Sequence, residues 1–140
     1  MTAVRKVLFL CTGNSCRSQI AEAVTNARLG ASWRAFSAGT HPAGYVHPMA
    51  LRVLEEVGIH YEGRSKSVDE VSSINFDLVV TVCDQAAEEC SLWLGSGRRV
   101  HIGFSDPAKV EEDEAEQLAA FRAVRDEIEV RILAWISATQ

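Results

Sequence analysis

The sequence has no apolar run approaching the ~18 residues that cross a membrane. It has no basic excess either: 14 Lys and Arg stand against 19 Asp and Glu, a formal net charge of -5, which argues against a nucleic-acid binder. The N-terminal apolar stretch Val7–Cys11 is too short for a signal-peptide core, and it leads into Gly13 and Asn14 rather than a small-residue cleavage site. Proline is scarce (three), and no repeat, linker or low-complexity tract interrupts the chain. Hydrophobic residues at 47% and charged residues at 24% are ordinary for a folded protein, so disorder, collagen-like repeats and a disulfide-stapled miniprotein are disfavoured. These absences lead us to expect a cytoplasmic protein with reduced thiols. Its four cysteines then call for a role other than structural cross-linking.

What remains is one compact domain of 140 residues. Residues 1–70 carry eight Lys and Arg against six Asp and Glu, and residues 71–140 six against thirteen. The run Glu111, Glu112, Asp113, Glu114 and Glu116 supplies much of that second-half excess. It precedes a helical pattern, where acidic groups suit the positive dipole end.

Strand and helix alternate. Val7–Leu10 reads as a buried strand that stops at the turn Thr12-Gly13-Asn14. Ile20, Ala21, Val24 and Ala27 give a helix over 17–29, with Gly30 at the C-cap position. Trp33–Ala38 reads as a second strand closed by Gly39. Pro48–Val57 reads as a helix with Pro48 in its first turn and Gly58 after it. Leu78–Val82 is the clearest strand, and Arg99–Ile102 a short fourth. Leu118, Phe121, Val124, Ile128, Ile132 and Trp135 form one stripe of a long terminal helix. Buried strands separated by helices predict a parallel sheet covered on both faces.

The loop Cys11-Thr12-Gly13-Asn14-Ser15-Cys16-Arg17-Ser18 lies between a strand and a helix, where ligands bind in open α/β sheets. Cys, five residues, then Arg and Ser have a physical use there. The intervening backbone N–H groups can curl around a tetrahedral oxyanion, and the helix N-terminus adds partial positive charge. Gly13 permits a positive φ or a close approach, and Asn14 tolerates the left-handed region. Arg17 offers a fork of donors to two oxyanion oxygens. The same field stabilises a Cys11 thiolate, drawing its pKa from ~8.5 toward ~4–7, and Ser18 can donate to that thiolate. The plainer alternative is a Gly/Asn turn with a buried cysteine before it.

Asp106-Pro107 follows the last strand. Alone it is a turn opener; paired with the cysteine loop, Asp106 becomes a candidate acid for a leaving oxygen. Cys83 ends the strongest strand and Cys90 lies seven residues on. On a helix they would stand ~10.5 Å apart along the axis, beyond the roughly 7 Å a disulfide allows, which suits a conditional bond better than a permanent one. They also read as two small buried hydrophobes. A zinc site with His101 is weaker, because no pair has close metal-ligand spacing. Cys16 is read as loop packing.

These residues resemble the low-molecular-weight protein tyrosine phosphatase superfamily, and within it the thioredoxin-coupled arsenate reductases. The resemblance rests on 11–22 and continues through Phe36-Ser37-Ala38-Gly39, 77–83, Cys90, Gly103-Phe104-Ser105-Asp106-Pro107 and 121–128. It implies a four-stranded parallel sheet of order 2-1-3-4 with helices on both faces. It also implies arsenate held by the loop amides and Arg17, attack by Cys11, and Asp106 as general acid. Cys83 and Cys90 would then form a redox disulfide that thioredoxin reduces, with no metal or organic cofactor and a monomer as the default. Some members bind potassium through positions matching Asn14, Glu22 and Ser37 plus an Asp; Ser67 stands in the Asp position, which puts that site in doubt. The stretch after Cys90, Ser91-Leu92-Trp93-Leu94-Gly95, replaces an expected proline-rich one. A tyrosine phosphatase is the main competitor, but Ala108 and Lys109 follow Asp-Pro where such phosphatases carry aromatic walls. A reductase coupled to a small thiol, and a non-catalytic anion or redox sensor, are further alternatives.

Overall fold

A computed structural model describes residues 4–82, 97–110 and 113–138. Strands β1 (Arg5–Cys11), β2 (Trp33–Gly39), β3 (Leu78–Thr81) and β4 (Arg98–His101) form one parallel sheet in the order β2-β1-β3-β4. Helices α1 (Arg17–Leu29), α2 (Pro48–Glu56) and α3 (Glu114–Ala138) accompany it. Five consecutive β1 residues, Val7–Cys11, are buried. Successive strand side chains point to opposite faces, so both faces of this central strand are covered, as expected of a parallel sheet.

Register places the strand ends. Cys11 pairs with Gly39 and Leu10 with Thr81, which in turn pairs with His101. The carboxyl edge therefore collects the loop after β1, the end of β2 and the segment after β4.

The helix ends follow their local chemistry. His47 Nδ1 accepts from Met49 N (3.1 Å) at the start of α2, and Gly58 turns left-handed (φ 82°) just beyond it. Asp113 Oδ1 accepts from Glu116 N (2.9 Å) at the start of α3, so part of the acidic run serves as a cap. Gly30 stays right-handed (φ -61°), so helix α1 ends without the left-handed turn its glycine permits. On α3 the buried stripe runs through Ile128, Ile132 and Ile136, while Trp135 is only half-buried. The repeat of four there selects Ile136 over its neighbour. Buried Arg125 ties α3 to α2 by donating to Val53 O (2.9 Å) and Glu56 Oε1 (3.1 Å). No helix among the described residues is long and apolar enough to cross a membrane.

Candidate active site

The loop after β1 is best read through its carbonyls. Thr12 O accepts from His41 N (2.9 Å), Gly13 O from Ala43 N (2.8 Å) and Ser65 Oγ (3.1 Å), and Ser15 O from His47 N (2.8 Å). Asn14 O accepts from Gln19 Nε2 (3.0 Å) and Cys16 O from Ile20 N (2.8 Å). The carbonyls of 12–15 are thus engaged by segments outside the loop. In a trans peptide the N–H points opposite to its C=O, so the amides of Gly13, Asn14, Ser15 and Cys16 turn to the inner side. None of those four donates to another backbone group among the described residues. Cys16 is the N-cap of α1 and makes no side-chain cap bond, and the first turn of α1 carries no acidic residue. The helix end is thereby left for an external anion.

Arg17 completes this pole. Its guanidinium is held at the rim by Phe104 O (Nη1, 3.2 Å) and Asp106 Oδ2 (Nη2, 3.5 Å). Its Nε is buried and has no hydrogen-bond partner among the described residues. An orphaned cationic donor is costly unless something fills the position, and an oxyanion oxygen is the kind of acceptor that would.

Asp106 opens a turn and also faces the loop's arginine. Its Oδ1 accepts from Ala108 N (3.0 Å), opening the short 3-10 turn Pro107–Lys109, while Oδ2 faces Arg17. Cys16 Sγ lies 3.7 Å from Oδ1. Burial, and then the Asp106 charge, push the Cys16 thiol up to about 11. Cys16 therefore stays protonated at neutral pH and is no nucleophile there, in keeping with its reading as a packing residue.

Cys11 meets a different neighbour. Its Sγ lies 2.9 Å from Ser18 Oγ, and the direction of that bond is set by the groups behind it. Lys66 N, a pure donor, points at Asn14 Oδ1 (2.9 Å), so Asn14 presents Nδ2 to Ser18 Oγ (2.8 Å). Ser18 thus accepts from Asn14, which leaves its own O–H available for the Cys11 sulfur. A sulfur that receives a hydrogen bond is favoured as thiolate.

The left-handed residue of the loop is Asn14 (φ 47°), not Gly13, whose φ lies outside that region. The close approach belongs instead to Gly39. A Cβ there would fall 2.6 Å from Thr12 O and 3.0 Å from Cys11 O.

The structure places Cys11, Thr12, Gly13, Asn14, Ser15, Cys16, Arg17 and Ser18 on one loop and brings Asp106 to it. Cys83 and Cys90 lie outside the described residues, as does 91–95. Sequence reasoning missed Gln19, Gly39, Ser65 and the Phe104 carbonyl. Gln19 could have been suspected as a polar residue on the apolar side of α1; the others act through backbone contacts that carry no motif. The potassium donors do not fit a cation. Glu22 accepts from Ser37 Oγ (2.8 Å) and the Tyr61 hydroxyl (2.7 Å), Asn14 Oδ1 takes two N–H groups, and Ser67 Oγ caps Asp69 N (3.2 Å).

A parallel α/β sheet whose first strand ends in an oxyanion loop, with a cysteine at its base and an arginine at its exit, defines a cysteine-dependent phosphatase-like class. The chain belongs to the low molecular weight phosphotyrosine protein phosphatase family, which it matches over residues 6–140. It is 46% identical over 127 residues to an arsenate reductase of Halalkalibacterium halodurans (90% of this chain, 91% of the relative), and 42% identical over 127 residues to one of Bacillus subtilis (90% and 91%). Among solved structures, an arsenate reductase in the phosphate binding state superposes with a TM-score of 0.80 at 29% identity, covering 98% of this chain and 100% of that one.

Proposed function

We propose that this protein reduces arsenate to arsenite by a three-cysteine relay, with thioredoxin as electron donor, in a reducing cytoplasmic compartment. The observation that carries the oxyanion step is the unpartnered Arg17 Nε beside four inward amides, with Cys11 held as a hydrogen-bond acceptor at the loop's base. Arsenate would sit on those donors. The Cys11 thiolate would attack arsenic(V), forming an S–As bond, while Asp106 protonates the oxygen that leaves as water. Cys83 thiolate would then attack Cys11 Sγ. The S–As bond breaks, its electron pair stays on arsenic, and arsenite, now arsenic(III), departs from a Cys11–Cys83 disulfide. Attack by Cys90 on Cys83 would regenerate Cys11 thiolate and leave a Cys83–Cys90 disulfide, which thioredoxin reduces with two electrons.

The names of the relatives support arsenate as substrate; the three-cysteine reading rests on the resemblance. The test is arsenate-dependent NADPH oxidation with thioredoxin and thioredoxin reductase. Cys11→Ser, Cys83→Ser and Cys90→Ser are expected to lose multiple turnover, with Cys90→Ser still completing one reduction. Normal cycling by Cys90→Ser would overturn the relay in favour of a small-thiol reductant. Dominant hydrolysis of aryl phosphates would favour the phosphatase.

A further inference from the structure

The chain of hydrogen bonds behind Cys11 does not end at Asn14. Gln19 is fully buried, and its Nε2 faces three oxygens: Asn14 O (3.0 Å), Asn14 Oδ1 (3.1 Å) and Arg64 O (3.0 Å). Three acceptors on one side leave a single choice of amide orientation, so Oε1 points the other way. There it meets the Tyr61 hydroxyl, which also reaches Glu22 Oε2 (2.7 Å). The phenolic O–H is the donor those two acceptors share. Burial and the Glu22 charge push the Tyr61 phenol far above its ordinary range, so it remains a donor throughout the working pH range. A second observation points to the same tyrosine. A Cβ at position 63 would overlap the Tyr61 ring and hydroxyl, so Gly63 is what lets the ring fold back over α1.

We propose that Tyr61 is a positioning residue that tunes the thiolate of Cys11 through Gln19, Asn14 and Ser18. This rests on the reading of Cys11 as the nucleophile. With the hydroxyl in place, Gln19 is held at both ends of its amide, and its Nε2 stays seated on both oxygens of Asn14. Without it, Gln19 Oε1 becomes a buried acceptor that has lost this donor, the side chain shifts to find another, and its grip on Asn14, the residue behind Ser18, slackens. The charged and titratable groups facing this path are Arg17, Asp106 and His47 near the loop, and Glu22, Lys66, Arg64 and Glu70 near Tyr61. Tyr61→Phe replaces none of them and touches one, Glu22, which loses the phenolic donor to its Oε2 but keeps Ser37 Oγ on Oε1.

The test is the rate of Cys11 alkylation by iodoacetamide between about pH 4.5 and 9, resolved from Cys16 by fragment mass spectrometry. In Tyr61→Phe the midpoint is expected to rise by about half to one pH unit, slowing alkylation about three- to tenfold below both midpoints with the plateau unchanged. Gly63→Ala, which displaces the ring but keeps the hydroxyl, is expected to shift it in the same direction. A folded Tyr61→Phe whose midpoint coincides with the parent refutes the proposal, as does a lower plateau at an unmoved midpoint. Should Tyr61→Phe not fold, an unshifted Gly63→Ala refutes it alone. A parent midpoint near the ~8.5 of an ordinary thiol would instead overturn the nucleophile reading itself.

Discussion

Gly39→Ala tests whether the loop's geometry is set by backbone contact. Gly39 is buried at the end of β2, paired with Cys11, and its N–H donates to Lys66 O (2.8 Å). Its φ is not in the left-handed region, so alanine meets no conformational penalty and the whole effect is contact. The new methyl would stand 2.6 Å from Thr12 O, 3.0 Å from Cys11 O and 3.0 Å from Asn14 Cβ. Two of these are backbone atoms, and the Thr12 carbonyl is already held by His41 N. Restoring ordinary contact moves that carbonyl, and the Gly13 amide with it, by about 0.8 Å. Overpacking of this kind costs about 1–3 kcal/mol, or roughly 3–10 °C in Tm for a domain this size. The site should suffer more than the fold, because misplacing reacting groups by an ångström costs about a hundredfold in rate. Thermal unfolding followed by circular dichroism gives the first quantity. Calorimetric titration with phosphate at 25 °C, where the variant is still folded, gives the effect on the oxyanion site. A parent-like Tm and phosphate affinity would refute the argument outright. A lowered Tm with unchanged affinity would show that β2 yields and the loop does not.

Two further substitutions probe the charges. Ser18→Ala removes the donor to Cys11; a hydrogen bond to a charged group is worth about 1.5–3 kcal/mol, so the alkylation midpoint of Cys11 should rise about 1–2 units, and an unmoved midpoint would refute the assigned bond direction. Glu56 is held down to about 2, first by its hydrogen bonds from Arg122, with Arg125 adding to them. A depressed carboxyl contributes stability above its ordinary pKa and loses it as pH falls through the folded value. The unfolding difference between parent and Glu56→Gln should therefore be full at pH 7 and shrink from about pH 5 toward 2. A difference that grows with acidity would be inconsistent with this pairing.

What was legible in the sequence was contiguous in it. Cys11, Asn14, Arg17 and Ser18 sit on one strand–loop–helix unit, so spacing alone placed them around one hollow. Asp106 is 90 positions from Cys16, and only the idea of an oxyanion site drew attention to it. The parts that stayed hidden are tertiary. His41, Ala43, His47 and Ser65 orient the loop's carbonyls, three of them through main-chain N–H groups that any residue but proline supplies. Gln19 is a polar residue on the apolar side of α1, but only the tertiary fold brings the Arg64 carbonyl to its amide beside Asn14. The glycine ascribed to the loop's turn was Gly13, yet Asn14 carries the positive φ, because its side chain gains two N–H donors in that conformation.

The loop holds two sulfurs, and burial does not tell them apart: Cys11 is 2% exposed and Cys16 4%. Their chemistry divides on the neighbour each one meets. Cys16 faces a carboxylate, so losing its proton would set two negative charges 3.7 Å apart in a poorly solvated place. Cys11 faces a hydroxyl whose own proton the Asn14 donor leaves available to it. A negative sulfur is thus penalised at one position and supported at the other, five residues away. In the proposed relay this division matters kinetically. Thiol–disulfide exchange proceeds through the thiolate, so a protonated Cys16 does not attack Cys11 before Cys83 can. On this reading Asp106 would have a second task besides donating a proton: its charge adds to burial in keeping the Cys16 thiol protonated and out of the sequence.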